Sequence, residues 1–243
     1  MAKTANLGLP LISPAQAQKH VTVNEALVRM DAATQMSVLA ADISDPPDLA
    51  ENGVGYIVPE LAGGAWVGRT GQIAVWSNGG WVYLAPAPGW RAWLVAKSST
   101  LMYDGTRWVP DAVAVSSGGA FTTNEILEFD QELGVGTAVG TEVRIPANSL
   151  VLGITGRVMD SLTGTLTSWR LGVAGSEDRY GKGMGVGAGS FLVGLSGTPM
   201  TYYADTSLLI GAEGGAFSGG RIRLAVHLTR LGAPRASRAL PAA

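Results

Sequence analysis

The chain has 243 residues, of which 47% are hydrophobic and 15% are charged, and its formal net charge is −2. This composition excludes a disordered chain, and the mixed charges exclude the basic footprint of a nucleic-acid-binding protein. There is no cysteine, which excludes disulfides and thiolate metal sites. No apolar run reaches the roughly 18 residues of a membrane helix, and no apolar signal core follows the first residues. We therefore expect a soluble protein that is made in a cytoplasm and does not insert into membranes.

An arm and a helix come first in the chain. Residues 7–13 are apolar and contain Pro10, which predicts an extended arm. Thr22 and Glu25 have the spacing of a capping box, in which each side chain accepts a hydrogen bond from the other residue's amide. Five positions then recur at helical spacing: Val23, Leu27, Met30, Thr34 and Val38. We predict one helix from about Val23 to Leu39, whose narrow stripe fits either docking on a sheet or a short seam between several chains.

An aromatic-rich stretch follows, with six of the seven tryptophans between Tyr56 and Pro110. Asn78-Gly79 and Asp104-Gly105 interrupt its apolar runs, and such pairs are strong hairpin signals because both residues tolerate positive φ. An aromatic residue precedes each turn and a tryptophan follows it, as in hairpins stabilised by cross-strand contacts. We predict a small β-hairpin module whose tryptophans form core or subunit contacts rather than a sugar-binding surface.

The second half of the chain has many short alternating strands separated by turn signals. In the last of them, Ile222, Leu224 and Val226 alternate with outward-facing polar residues. We predict a mainly β protein with these parts: an N-terminal anchoring domain at 1–113, a linker at 114–119, a jelly-roll-like β-sandwich at 120–231 and a tail at 232–243. The tail is rich in alanine, proline and arginine, and we expect it to be mobile on its own.

The order of motifs in the first part of the chain resembles a known family. The similar segments are Leu9-Pro10-Leu11-Ile12, Ala15-Gln16-Ala17-Gln18-Lys19-His20-Val21-Thr22, Asn24-Glu25-Ala26-Leu27, Gly55-Tyr56-Ile57-Val58, Gly63-Gly64-Ala65-Trp66, Pro88-Gly89-Trp90 and Tyr103-Asp104-Gly105 with Trp108. They resemble a domain-of-unknown-function family of tailed phages, prophages and gene transfer agents of alphaproteobacteria, whose members look like fibre and spike proteins. Residues 120–231 are more loosely similar to the β-sandwich often appended to such proteins.

This resemblance implies a virion appendage, either a head spike or a tail fibre subunit, of a phage-like particle or gene transfer agent. Similar domains form trimers and contact surface polysaccharide, so it implies a homotrimer that binds host capsular polysaccharide during adsorption. The N-terminal region would attach to capsid, spike-base or tail proteins. The protein would be made in the bacterial cytoplasm, lie on the virion surface and leave with the particle. The short chain without a shaft repeat favours the head spike.

The candidate carbohydrate-binding residues lie in the second domain: Asp178, Arg179, Tyr180, Tyr202 and Tyr203. Planar donors, a carboxylate and aromatic rings suit hydroxyl-rich ligands. The alternative is that Asp178 to Gly181 form a turn whose side chains only hold the loop. Arg221 and Arg223 on the last strand either attract an acidic capsule or form a solvated strand face.

No pattern predicts catalysis, a cofactor or a metal site. His20 has no nucleophile or orienting partner near it in the sequence, which favours a packing or capping role, and His227 lies in a separate region. Glu177 and Asp178 are adjacent, so on a strand they point in opposite directions, unlike a catalytic carboxylate pair. We expect no enzyme activity and no cofactor. A capsule-degrading hydrolase and a purely structural connector remain the alternatives.

Overall fold

The computed structural model describes residues 3–6, 9, 11 and 19–236, without the side chains of residues 19–22. Over these residues the protein is mainly β, as the sequence predicts, with a single α-helix. The chain divides into two compact units, one of Met1–Phe121 with Pro234–Ala243 and the other of Thr122–Ala233. Part of the predicted 114–119 linker is therefore strand within the first unit, and the predicted tail begins inside the last strand of the second.

The helix, α1, spans Lys19–Ala33, so the predicted range of Val23 to Leu39 is displaced at both ends. It ends early because Gln35 adopts a left-handed conformation with φ of 49°, which stops helix propagation. The capping box at Thr22 and Glu25 is wrong, since both residues lie inside the helix. Met30, on the predicted apolar stripe, is 58% exposed, so α1 packs through a different face. His20 lies in α1, and its side chain is outside the described part of the chain.

The described part of the arm is tied to α1 by the buried carboxylate of Asp31. Thr4 Oγ1 donates to one carboxylate oxygen at 2.7 Å, and the backbone N–H of Asn6 donates to the other at 2.8 Å. A buried carboxylate is retained when such donors replace its hydration. The predicted extended segment at 7–13 lies mostly outside the described residues.

Eight short strands build the rest of the first unit: β1 (Ser37–Val38), β2 (Gly55–Ile57), β3 (Ile73–Ser77), β4 (Gly80–Leu84), β5 (Arg91–Leu94), β6 (Ser99–Tyr103), β7 (Trp108–Pro110) and β8 (Ala112–Val115). One antiparallel sheet has the order β2-β3-β4. A second has the order β1-β5-β6-β7, in which β1 runs parallel to β5. Single 3₁₀ turns occur at Gly64–Trp66 and Val95–Lys97.

Both predicted hairpins are present. Between β3 and β4, Asn78 and Gly79 have φ of 51° and 83°, as a two-residue hairpin turn requires, and Trp76 pairs with Trp81. Between β6 and β7, Tyr103 pairs with Trp108 across a longer loop.

The tryptophans of the first unit serve mainly as packing groups. Trp66 is fully buried, with its ring 5.5 Å from that of Tyr56 and 5.3 Å from that of Trp81. Trp76 contacts Trp81 edge-on at 5.0 Å. Such tilted and edge-on pairs add stabilisation beyond the area they bury. Trp93 differs, because it is 45% exposed on β5.

One carboxylate organises the end of the first unit. Asp104 is fully buried, and its Oδ1 accepts the backbone N–H groups of Thr106 and Arg107 at 2.8 and 2.9 Å, which shapes the β6–β7 loop. Its Oδ2 accepts from Arg235, 131 residues away, at 2.5 Å. The backbone N–H of Arg235 donates to the Gly118 carbonyl at 2.8 Å. The described start of the predicted tail is thus anchored rather than free.

The second unit consists of eight longer strands: β9 (Phe121–Glu132), β10 (Ala138–Ile145), β11 (Ser149–Gly164), β12 (Ser168–Val173), β13 (Ser176–Met184), β14 (Phe191–Tyr202), β15 (Thr206–Glu213) and β16 (Phe217–Gly232). Within this unit one sheet has the order β14-β11-β16-β9 and the other β10-β15-β12-β13. The first strand thus neighbours the eighth, the second the seventh, the third the sixth and the fourth the fifth. This nested pairing is a jelly roll, as predicted.

The core of the second unit lies between its two sheets. It includes Trp169, Leu171, Ile222 and Leu224, which are all buried and alternate with outward-facing residues as the sequence predicts. On β11 the alternation of Ile154 and Val158 predicts that Leu152 also faces inward, but the pairing register shifts between Val151 and Gly153 and leaves Leu152 41% exposed.

We expect Arg235→Ala to lower the free energy of unfolding of the first unit by about 3 kcal/mol, because it leaves the buried Asp104 carboxylate without its cation. Urea denaturation followed by tryptophan fluorescence measures this, since all but one of the tryptophans lie in this unit. Arg107→Ala is the control: Arg107 reaches the same carboxylate only at 3.8 Å and is 55% exposed, so its loss should cost less than about 1 kcal/mol. Equal losses in the two variants would contradict the assigned role of Arg235.

Candidate functional site

The predicted ligand residues Asp178, Arg179 and Tyr180 lie on strand β13, not in a turn. Asp178 is exposed and pairs with Lys182 at 3.2 Å. Tyr180 points into the core and is only 2% exposed. Both predicted interpretations place these residues in a turn, and that placement is wrong, because the chain remains extended through them.

Tyr180 and Tyr202 form a buried pair. Their hydroxyl oxygens lie 2.7 Å apart, and Tyr202 is 7% exposed. Burial, together with the hydrogen bond to Tyr202, raises the pKa of Tyr180 far above its usual value near 10. The two rings are therefore packing groups inside the sandwich, and their faces are not open to a ligand. Carbohydrate binding by the remaining residues, Asp178, Arg179 and Tyr203, stays a prediction.

Arg179 is unusual among the arginines of this unit. Its Nε is buried and has no hydrogen-bond partner among the described residues. By contrast, Arg230 makes two hydrogen bonds to the Glu125 carboxylate, and Arg170 pairs with Glu177. A buried polar group without a partner costs about 1–3 kcal/mol.

Tyr203 is the accessible aromatic residue of the predicted set, with 80% of its side-chain surface exposed. It begins the loop between β14 and β15, next to Asp205, which accepts the backbone N–H of Ala147 at 2.8 Å. The strand register places this loop, the β10–β11 loop and the β12–β13 turn at one end of the sandwich, because Ile145 pairs with Thr206 and Gly172 with Leu209. Tyr203 and the start of β13 therefore lie toward the same end.

The arginines on the last strand are already neutralised. Arg223 donates two hydrogen bonds to Asp130, at 2.6 and 2.9 Å, and Arg221 contacts Asp160 at 2.9 Å. The hydrogen bond from Arg223 lowers the pKa of Asp130 and keeps it ionised. Of the two predicted interpretations, a paired strand face fits better than a cationic surface for an acidic capsule. His227 lies on this face, with Nε2 3.1 Å from Thr155 Oγ1.

Sequence reasoning missed the outer face of strand β14. Phe191, Val193 and Leu195 are 68, 60 and 79% exposed, whereas Leu192 between them is buried. The sequence does carry a signal for this face, because residues 191–195 are apolar at both odd and even positions. A strand with this pattern has two apolar faces, and both favour burial against other groups.

The described residues contain no group of three or more histidine, cysteine, aspartate or glutamate residues placed to hold a metal ion. Within the same ranges, no helix is long and apolar enough to cross a membrane.

Comparison with known proteins gives similarities of two kinds, one to a family model and one to solved structures. Residues 23–109 match the model of a family described as "Protein of unknown function (DUF2793)". The matched segment contains the hairpins and most of the motifs of the resemblance, whereas the Ala15–Thr22 motif precedes it. The match covers the α1 and β-hairpin region of the first unit only.

The second similarity is to a chain of a solved structure titled "Cyanophage Pam1 capsid asymmetric unit". The identity is 23%, and the match covers 46% of this chain and 84% of that chain with a TM-score of 0.31. A TM-score this low supports no functional conclusion. No curated protein matches the chain.

The buried tyrosine pair predicts a pH dependence of stability. The neutral phenol of Tyr180 is favoured in the folded unit, so stability is full below the unfolded-state pKa near 10 and falls as the pH rises above it. Tyr180→Phe should flatten this decline in urea unfolding measured from pH 8 to 11. It should also cost about 1–3 kcal/mol at pH 8, because the Tyr202 hydroxyl loses its partner.

Tyr203→Phe is the matched control for this experiment. Tyr203 is exposed, so its replacement removes the same hydroxyl group from outside the core and should leave the pH dependence of the wild type unchanged. An unaltered alkaline decline in Tyr180→Phe would show that this phenol does not carry it.

Proposed function

We propose that the protein is a virion appendage, a head spike or tail fibre subunit of a phage-like particle or gene transfer agent, that adsorbs to host capsular polysaccharide. The first unit attaches to capsid, spike-base or tail proteins, and the jelly roll of the second unit contacts the capsule. The family match over residues 23–109 supports a role for the first unit that is shared with other members of that family. The motif resemblance given in the sequence analysis is the basis for proposing that this role is in a phage-like particle.

The observation that carries the binding proposal is the buried Nε of Arg179, which has no hydrogen-bond partner among the described residues. The neighbouring Asp178 is exposed, and Tyr203 lies toward the same end of the sandwich. With the Arg179 side chain turned outward, a carboxylate or hydroxyl of a sugar would provide the missing acceptor, and charge-assisted bonds to guanidinium are among the stronger hydrogen bonds. This arrangement favours acidic polysaccharide as the ligand class.

The proposed mechanism is adsorption without chemistry. Each site binds weakly, and a homotrimer presents three of them to a repetitive polymer. Linked sites raise the effective concentration at the second and third contact and slow release from the cell surface. We propose no catalysis, cofactor or metal for this action.

Binding is tested with capsulated and acapsular cells and with purified capsule of known chain length. Capsule-dependent adhesion without shortening of the polymer supports the proposal. Shortened chains would establish a hydrolase instead, and the absence of binding would leave a structural connector.

Arg179→Gln should weaken binding of a purified acidic capsule fragment at least about 10-fold, because one charge-assisted hydrogen bond is lost. Isothermal titration calorimetry measures the affinity. Arg144→Gln is the control, because Arg144 is an exposed arginine of the same unit and its loss changes the net charge equally. Equal weakening in both variants would indicate a general charge effect, and unchanged binding in Arg179→Gln would remove Arg179 from the site.

A further inference from the structure

Strand β14 carries an exposed apolar ridge. Phe191, Val193 and Leu195 project from the outer face of its sheet, and β14 is the edge strand of that sheet. The guanidinium of Arg157 lies 5.8 Å from the centre of the Phe191 ring, so the end of the ridge is held in place. Contiguous exposed apolar surface of this kind is uncommon on a protein that acts as a monomer.

A trough of small residues lies beside this ridge. Val193 pairs with Thr155, which pairs in turn with Ala225, and Leu195 pairs with Gly153. Paired residues of adjacent strands project from the same face, so Thr155 and Ala225 form the floor next to the ridge. A cavity of about 360 Å³ occupies this position.

The far side of the trough is formed by β9. Glu128 lines the cavity, and Asp130 on the same face holds Arg223. Ile126 lies on the same face of β9 as Glu128 and Asp130, and it is 65% exposed. The same sheet face thus contains both an apolar ridge and a groove, whose floor is made of small residues and whose rim carries Glu128, Arg157 and Arg223.

The charges of this face are balanced. Glu128 and Asp130 lie on β9, Arg223 lies on the neighbouring β16, and Arg157 lies opposite Arg223 on β11. A face that carries both positive and negative charges can pack against a copy of itself without net repulsion. For the same reason it does not attract a negatively charged polymer. Its exposed apolar groups are mainly aliphatic, which suits protein packing better than stacking on sugar rings.

The face is large enough for a specific contact. Adjacent strands lie about 4.8 Å apart, and each residue adds roughly 3.3 Å along a strand. Four strands of about eight residues therefore cover roughly 500 Å². Two such faces approach the roughly 1,000 Å² of total buried area that marks a specific interface.

We propose that the outer face of the β14-β11-β16-β9 sheet is the surface through which copies of this chain associate. The ridge of Phe191, Val193 and Leu195 on one copy packs into the trough of Thr155 and Ala225 on the next. Because ridge and trough are different parts of one face, each copy has both a ridge that inserts and a trough that receives. The inference rests on the proposed function in one respect, since the multivalent appendage requires such an assembly.

The test is the mass of the full chain in solution, measured by sedimentation and light scattering from about 1 to 100 µM. The wild type should be a multiple of the single chain, and Val193→Asp should weaken self-association at least about 100-fold, because the contact would desolvate an unpaired carboxylate. Val135→Asp is the control: Val135 is 86% exposed in the β9–β10 loop and should associate as the wild type does. Circular dichroism and urea unfolding confirm that each variant is folded.

Chemical protection gives a second measurement. The chain has no cysteine, so Leu195→Cys provides a single thiol. At concentrations where the wild type associates, this thiol should react with an aqueous maleimide at least about 10-fold more slowly than in dilute protein, whereas Val135→Cys should react equally in both. A wild type that remains a single chain at 100 µM, an unchanged assembly in Val193→Asp, or protection of Leu195→Cys only by added capsule fragment would overturn the proposal.

The two proposals fail separately. If Val193→Asp dissociates the assembly and keeps the per-chain affinity for a capsule fragment, the interface and the binding role both stand. If the assembly dissociates but neither protein binds capsule, only the binding role is lost.

Discussion

The fully buried carboxylate of Asp104 is the interaction on which the end of the first unit depends. One of its oxygens shapes the loop between β6 and β7, and the other holds Arg235, which follows the second unit in the chain. Arg235 in turn binds the backbone at Ser117 and Gly118. A Cβ at Gly119 would lie 2.7 Å from the Arg235 guanidinium, so glycine is needed there. One side chain therefore fixes the segments on both sides of the jelly roll.

The surfaces of the second unit also differ in whether their arginines have a carboxylate partner. Arg170, Arg221, Arg223 and Arg230 have carboxylate partners, so their strands present charge that is largely neutralised. Arg179 has none among the described residues, and its Nε is buried. The same criterion separates the two proposed surfaces: an unpaired cation suits an acidic ligand, whereas balanced pairs around an aliphatic ridge suit another copy of the chain.

Local patterns were sufficient to predict much of this fold. The hairpin at Asn78-Gly79 follows from two residues that tolerate positive φ, and the inward face of β16 follows from its alternation. The jelly-roll class follows from many short strands between turn signals. These features depend on neighbours in sequence, which is why they could be predicted.

Other features depend on contacts that sequence patterns do not encode. The end of α1 is set by the left-handed Gln35, and the exposure of Leu152 by a register shift in its strand. Tyr180 and Tyr202 were candidate ligand residues because of their aromatic rings, but the two hydroxyls are hydrogen-bonded to each other inside the core. The partnership of Arg235 with Asp104 spans 131 residues and has no local signal.

The jelly roll begins and ends at one place. Thr123 near its start lies against the carbonyl of Arg230 near its end, and in the first unit Gly118 is hydrogen-bonded to Arg235. The first unit thus holds the two joints of the chain close together, and any sandwich whose first and last strands are adjacent would fit between them. In evolutionary terms, such a unit can be exchanged by recombination at the two joints while the strands of the first unit stay the same.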